Sequence, residues 1–137
     1  MLKRMVVFCS TAVLLTSCPE KFINEKVILK NQSEEDIFWL CHMQSFGEWY
    51  EINSISSYMG GNLEKKRILK GKIYEDIYPN GVETALRTGW FKYWFFNYDS
   101  IKTISWERIC AERIVLKEVT FNTWEDFERC NFEITYP

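Results

Sequence analysis

Short apolar blocks separated by polar turns run along the chain beyond residue 26. Val27-Ile28-Leu29-Lys30, a polar Asn31–Asp36 segment and Ile37-Phe38-Trp39-Leu40 predict strand, turn and strand. Residues 44–66 carry no clear period, only several serines and a Gly60-Gly61-Asn62 turn signal. Ile68-Leu69-Lys70 and Ile73-Tyr74 fit a further strand or the start of a short helix, and Pro79-Asn80-Gly81 fits a turn. Trp90–Phe96 is the strongest strand signal. Six of its seven residues are aromatic, so both faces are apolar, which predicts a central strand covered on both sides.

The last forty residues alternate cleanly between periods. Ser105 can cap a short helix whose Trp106, Ile109 and Cys110 share one face. Ile114-Val115-Leu116 through Phe121 predicts a strand. Thr123-Trp124-Glu125-Asp126 has the form of a helix start, with Phe127 and Asn131 in the turns that follow. Phe132, Ile134 and Tyr136 alternate with Glu133 and Thr135, which predicts a final half-buried strand. The expected fold is β-rich α+β: an antiparallel, sandwich-like sheet arrangement with two short C-terminal helices.

The first eighteen residues follow a different logic. Met1-Leu2-Lys3-Arg4 is a cationic head, Met5–Leu15 an apolar run, and Leu15-Thr16-Ser17-Cys18 a small-residue close. This is the order of an export signal. The run is well short of the roughly 20 apolar residues that cross a bilayer. The close resembles a bacterial lipobox, and the resemblance implies cleavage before Cys18 and acylation of that cysteine. Residues 1–17 are then a signal peptide, residues 18–26 the lipidated cysteine and a tether, and residues 27–137 one globular domain. The expected location is the bacterial envelope, lipid-anchored to the outer membrane. The tether, Pro19 to Lys26, reaches at most roughly 30 Å, which keeps the domain near the membrane.

Composition narrows the function classes. The chain is 47% apolar and 17% aromatic, enough for a real core. Removing Lys3 and Arg4 with the signal leaves 15 cations against 19 acids, a mature charge of −4 with no nucleic-acid footprint. Cys9 leaves with the signal and Cys18 is the lipidation site, so Cys41, Cys110 and Cys130 remain. Three thiols allow at most one internal disulfide, which export permits. The apolar positions of Cys110 and Cys130 favour the other reading, buried thiols packed as small hydrophobes.

Candidate chemistry is sparse. His42 is the only histidine, and its neighbour Cys41 would face the opposite side of a strand. Cys41, His42, Cys110 and Cys130 lack zinc-site spacing, so no metal and no cofactor is expected. Gly71-Lys72 fails as a phosphate loop because Lys66 and Ile73 stand where Gly and Ser/Thr are needed. Lys65, Lys66, Arg67, Lys70 and Lys72 form a basic cluster, read as a solvated loop or, near an acyl anchor, a site for anionic head groups. Trp39, Trp90, Trp94, Trp106 and Trp124 sit at patterned core positions. Trp49, Tyr50 and Tyr58, in the stretch without pattern, are candidates for an aromatic binding platform. Asp99-Ser100-Ile101 resembles the O-glycosylation sequon of exported proteins in such bacteria, which makes Ser100 a candidate site, although a plain turn explains Asp-Ser equally.

Lys30–Ile37 and the closing stretch carry a wider resemblance. Ser105-Trp106-Glu107, Val115-Leu116-Lys117, Thr123–Phe127, Asn131-Phe132 and Ile134–Pro137 are similar to the ending of small Bacteroides-type lipoproteins. The likeness covers about half of the mature chain, with residues 44–88 departing from it. It implies membrane anchoring and a small domain, and no catalytic residues. The expected function is therefore a non-enzymatic envelope lipoprotein with a binding or structural role, its partners a membrane and a glycan or envelope protein. A glycan-binding accessory module is the alternative.

Overall fold

Lys26–Asn31 (β1) and Ile37–Met43 (β2) are the strands expected from their apolar blocks, yet they do not form a hairpin. The computed structural model describes residues 26–43, 51–77, 86–87 and 89–137. The remaining elements are Ile55–Tyr58 (α1), a 3₁₀ turn over Leu63–Lys66, Arg67–Ile68 (β3), Ile73–Ile77 (β4), Phe91–Asn97 (β5), Tyr98–Thr103 (α2), Trp106–Glu112 (α3), Lys117–Phe121 (β6), Trp124–Arg129 (α4) and Glu133–Tyr136 (β7). Among the described residues, the strands form two sheets, one in the order β4-β1-β7 and one in the order β3-β2-β5-β6. The protein is a β-rich α+β fold with a sandwich-like arrangement. One pairing departs from the antiparallel expectation. β1 and β7 run parallel, with Leu29 opposite Ile134.

Period-two alternation decides which sheet face each residue lines. Val27 and Leu29 of β1 and Ile134 of β7 meet Trp39, Cys41, Phe91, Tyr93 and Phe95 of the second sheet, with Phe121 and Phe127 closing the same cluster. The opposite face of the second sheet presents Phe38, Leu40, Trp94 and Phe96, and these are covered by Ile55 of α1, Tyr98 and Ile101 of α2 and Ile109 of α3. β5 is therefore covered on both sides, as its aromatic run predicts. Tyr93, Trp94 and Phe95 are each 0% exposed. Burying one such side chain contributes on the order of 2–3 kcal/mol.

The helix starts follow the expected caps. Ser105 Oγ accepts from Arg108 N at 3.3 Å, and Thr123 and Asp126 form a reciprocal capping box that opens α4. Two further helices lie outside the sequence reading. Asn97 Oδ1 accepts from Ser100 N at 2.9 Å, so Asp99-Ser100 is the first turn of α2 rather than a free turn. Ser54 caps α1 in the same way. The strand expected from Ile114 begins only at Lys117, because Arg113 at φ 50° ends α3 and turns the chain. Gly60 and Gly61 take φ +60° and +79°, which is the turn their sequence signals.

Candidate functional site

Two of the connections between the sheets, β1 to β2 and β3 to β4, lie side by side and are tied by polar side chains. Asn31, 1% exposed, donates from Nδ2 to Glu35 O at 2.7 Å and to Ile68 O at 3.1 Å. Its Oδ1 accepts from Ser33 N and Oγ. Asp36 accepts from Arg67 Nε and Nη2 at 3.0 and 2.6 Å, and its other oxygen accepts from Lys70 N at 2.9 Å. These bonds, the Arg67 guanidinium first, hold the Asp36 carboxyl below the usual carboxylate range. Arg67 Nη1 also donates to Glu64, whose other oxygen accepts from Tyr98 Oη.

A second polar group lies at the open edge of β2. β3 pairs only with Ile37 and Phe38, so the backbone beyond needs another partner. Tyr58 supplies one, donating from Oη to Cys41 O at 3.1 Å. Burial, with the Cys41 and Asp76 side chains adding, pushes the Tyr58 phenol up to about 12. From the 3₁₀ turn, Lys66 places Nζ 3.6 Å from the Trp39 ring centroid and 3.9 Å from Cys41 Sγ. Asp76 of β4, 8% exposed, accepts from Tyr93 Oη at 2.8 Å. Burial raises the Asp76 carboxyl, and the Tyr93 hydrogen bond and the Lys66 charge oppose that only in part. Trp39 Nε1 is buried with no hydrogen-bond partner among the described residues.

This group holds a thiol, an ammonium and a carboxyl in one place, the ingredients of nucleophilic chemistry. Cys41 is 2% exposed, however, so its sulfur is closed to a substrate in this conformation. His42 cannot serve it as a base. It lies on the opposite face of β2, 5% exposed, stacked on Tyr58 at 5.3 Å and edge-on to Trp94 at 5.6 Å. Trp94 Nε1 donates to Glu118 at 2.9 Å, and Lys92 reaches the same carboxylate at 3.2 Å. Burial works against ionisation of Glu118, but those two donors prevail and hold its pKa low.

The basic cluster divides. Arg67 belongs to the Asp36 and Glu64 network, and Lys66 turns inward. Lys65, Lys70 and Lys72 remain exposed. Ser100 is half-buried in α2, with Oγ 3.2 Å from Asn97 Oδ1. Tyr58 is 39% exposed. Cys18, Trp49 and Tyr50 lie outside the described residues. Cys41 and Cys130 pack with the inter-sheet core and Cys110 with the core under the helices. No disulfide joins the three, and no three His, Cys, Asp or Glu residues group as a metal site among the described residues. Sequence reasoning missed Asn31, Asp36 and Asp76. The one signal for Asp76 is its i, i+2 spacing from Tyr74 within a strand.

No family model, no curated protein and no solved structure matches this chain.

Proposed function

We propose that this chain is an exported lipoprotein of a bacterial envelope, held to the membrane through Cys18, whose domain has a non-enzymatic binding or structural role. The carrying observation is the order Lys3-Arg4, Met5–Leu15 and Leu15-Thr16-Ser17-Cys18. Two or three acyl chains at about 0.8 kcal/mol per buried CH₂ make such an anchor effectively permanent. Among the described residues, no helix is long and apolar enough to cross a membrane. The closure of Cys41 and its separation from His42 support a role without catalysis. Metabolic labelling with an alkyne fatty acid tests the anchor. Label is expected in the wild type and absent in Cys18→Ala, and equal label in both would sink the reading.

One observation favours a second reading, the glycan-binding module. Tyr58 keeps 39% exposure while its hydroxyl is fixed on Cys41 O and its ring is stacked on His42. A rigid aromatic surface suits a sugar ring. This reading requires binding to immobilised glycans that Tyr58→Ala abolishes.

A further inference from the structure

The turn between β3 and β4 exposes what the rest of the fold hides. Ile73 is 61% and Leu69 46% exposed, the two most exposed large apolar side chains among the described residues. Both flank the lysines of Leu69-Lys70-Gly71-Lys72-Ile73. A lone exposed apolar residue needs no explanation. Two of them on one ordered turn, interleaved with cations, do. The turn is held by Lys70 N to Asp36 Oδ1 at 2.9 Å, Lys72 N to Leu69 O at 3.0 Å and Asn31 N to Lys72 O at 3.0 Å. Gly71 sits at φ +66°, a conformation that favours glycine. Leu69 and Ile73 are thus presented by a fixed backbone.

The charge around them is locally positive on a molecule that is otherwise acidic. Four carboxylates of this corner already have cations: Asp36 and Glu64 pair with Arg67, Glu133 with Lys30, and Glu75 with Lys26. Of the two others, Glu35 accepts from Asn97 Nδ2 and Glu34 is exposed to solvent. Lys65, Lys70 and Lys72 have no carboxylate within ion-pair distance among the described residues. Apolar side chains beside exposed lysines match the boundary of an anionic bilayer, where the former enter the acyl region and the latter meet phosphate. A nucleic acid would leave Leu69 and Ile73 without a partner.

We propose that the Leu69–Ile73 turn is a second membrane contact, docking the domain onto anionic phospholipid. The proposal rests on the Cys18 anchor to bring the turn within reach of a bilayer. Strand register makes that reach feasible. β1 pairs antiparallel with β4, with Lys26 opposite Ile77 and Lys30 opposite Ile73. The chain therefore enters the domain about 13 Å along the strand from the turn. Eight residue steps from Cys18 to Lys26 span at most about 29 Å. Anchor and turn can meet one surface with β1 and β4 lying along it.

The test places a photo-crosslinking benzoylphenylalanine at Ile73, or at Leu116 as control, in the full chain reconstituted in phosphatidylglycerol-containing vesicles. Leu116 is also exposed, at 42%. Lipid adducts at position 73 are expected at about tenfold the level at 116. Each lysine near such a surface strengthens binding about fivefold, so Lys70→Glu with Lys72→Glu should weaken docking enough to bring the adduct at 73 down to the level at 116, a loss of about tenfold. The melting temperature and Cys18 labelling should not move. Equal adducts at the two positions, insensitivity to the charge reversal, or adducts at 73 with protein alone would overturn the proposal while leaving a labelled Cys18 intact. Loss of the fatty-acid label with charge-sensitive adducts still forming at 73 would instead remove the anchor and keep the lipid-docking turn.

Discussion

Asp76 carries a carboxyl that burial raises above its ordinary value of 3.8, against the Tyr93 hydrogen bond and the Lys66 charge. The sign of the consequence follows from proton linkage. Below the ordinary value both folded and unfolded chains hold the proton, and the group costs nothing. As pH rises through the raised folded value, the unfolded chain releases its proton first, and stability falls. Asp36, Glu118 and Asp126 are shifted the other way and contribute stability that is lost as pH falls. Asp76→Asn keeps an acceptor for Tyr93 and removes the charge. Its melting temperature should exceed that of the wild type at pH 7 and match it at pH 3, measured by thermal unfolding across that range. A variant less stable than the wild type at pH 7 and equal to it at pH 3 would show instead that the fold uses the ionised carboxylate. Ile73–Ile77 read alone offers only the i, i+2 spacing of Asp76 from Tyr74, and an acid there looks solvent-facing. Sequence period assigns a face to a residue, but the element that later covers that face comes from elsewhere in the chain.

Elements defined by strong local patterns were legible. The aromatic run became the doubly covered β5, and the Ser105 and Thr123 caps opened α3 and α4 where expected. The assignment of β1 and β2 to different sheets was not legible, because a polar segment of six residues serves equally as a hairpin loop or as a crossing between sheets. Asn31 marks the difference. A hairpin residue at that place would be exposed, whereas Asn31 is buried and bonds a carbonyl 37 positions away. Asn31→Ala leaves the buried Ile68 carbonyl without its side-chain donor and should cost about 2 kcal/mol in urea unfolding. Gln32→Ala next to it, exposed, should stay within about 0.5 kcal/mol. Equal losses at both positions would show that the corner is not held by Asn31.

Across the whole molecule, three layers arise from one sheet having two apolar faces: the β4-β1-β7 sheet on one side of it and helices α1 to α3 on the other. The three cysteines of the described residues sample that architecture at different depths. Cys41 is 2% exposed between the sheets, and Cys110 and Cys130 are half-buried near the ends of α3 and α4. Cys130 Sγ lies 3.2 Å from Phe127 O. Burial raises the Cys110 thiol, which slows its reaction at neutral pH. Helix ends open locally at low cost, whereas reaching Cys41 requires the two sheets to part, which approaches global unfolding. Site-resolved mass spectrometry after timed alkylation of the native protein should therefore find Cys130 modified first and Cys41 last, slower by at least about 100-fold. Denaturation without reductant should make all three react, with no two-dalton deficit. A Cys41 that labels as fast as Cys130 would mean that the edge of β2 covered by Tyr58 and Lys66 opens on its own. The thiol, ammonium and carboxyl gathered there would then be accessible to a substrate, and the reading without catalysis would have to be given up.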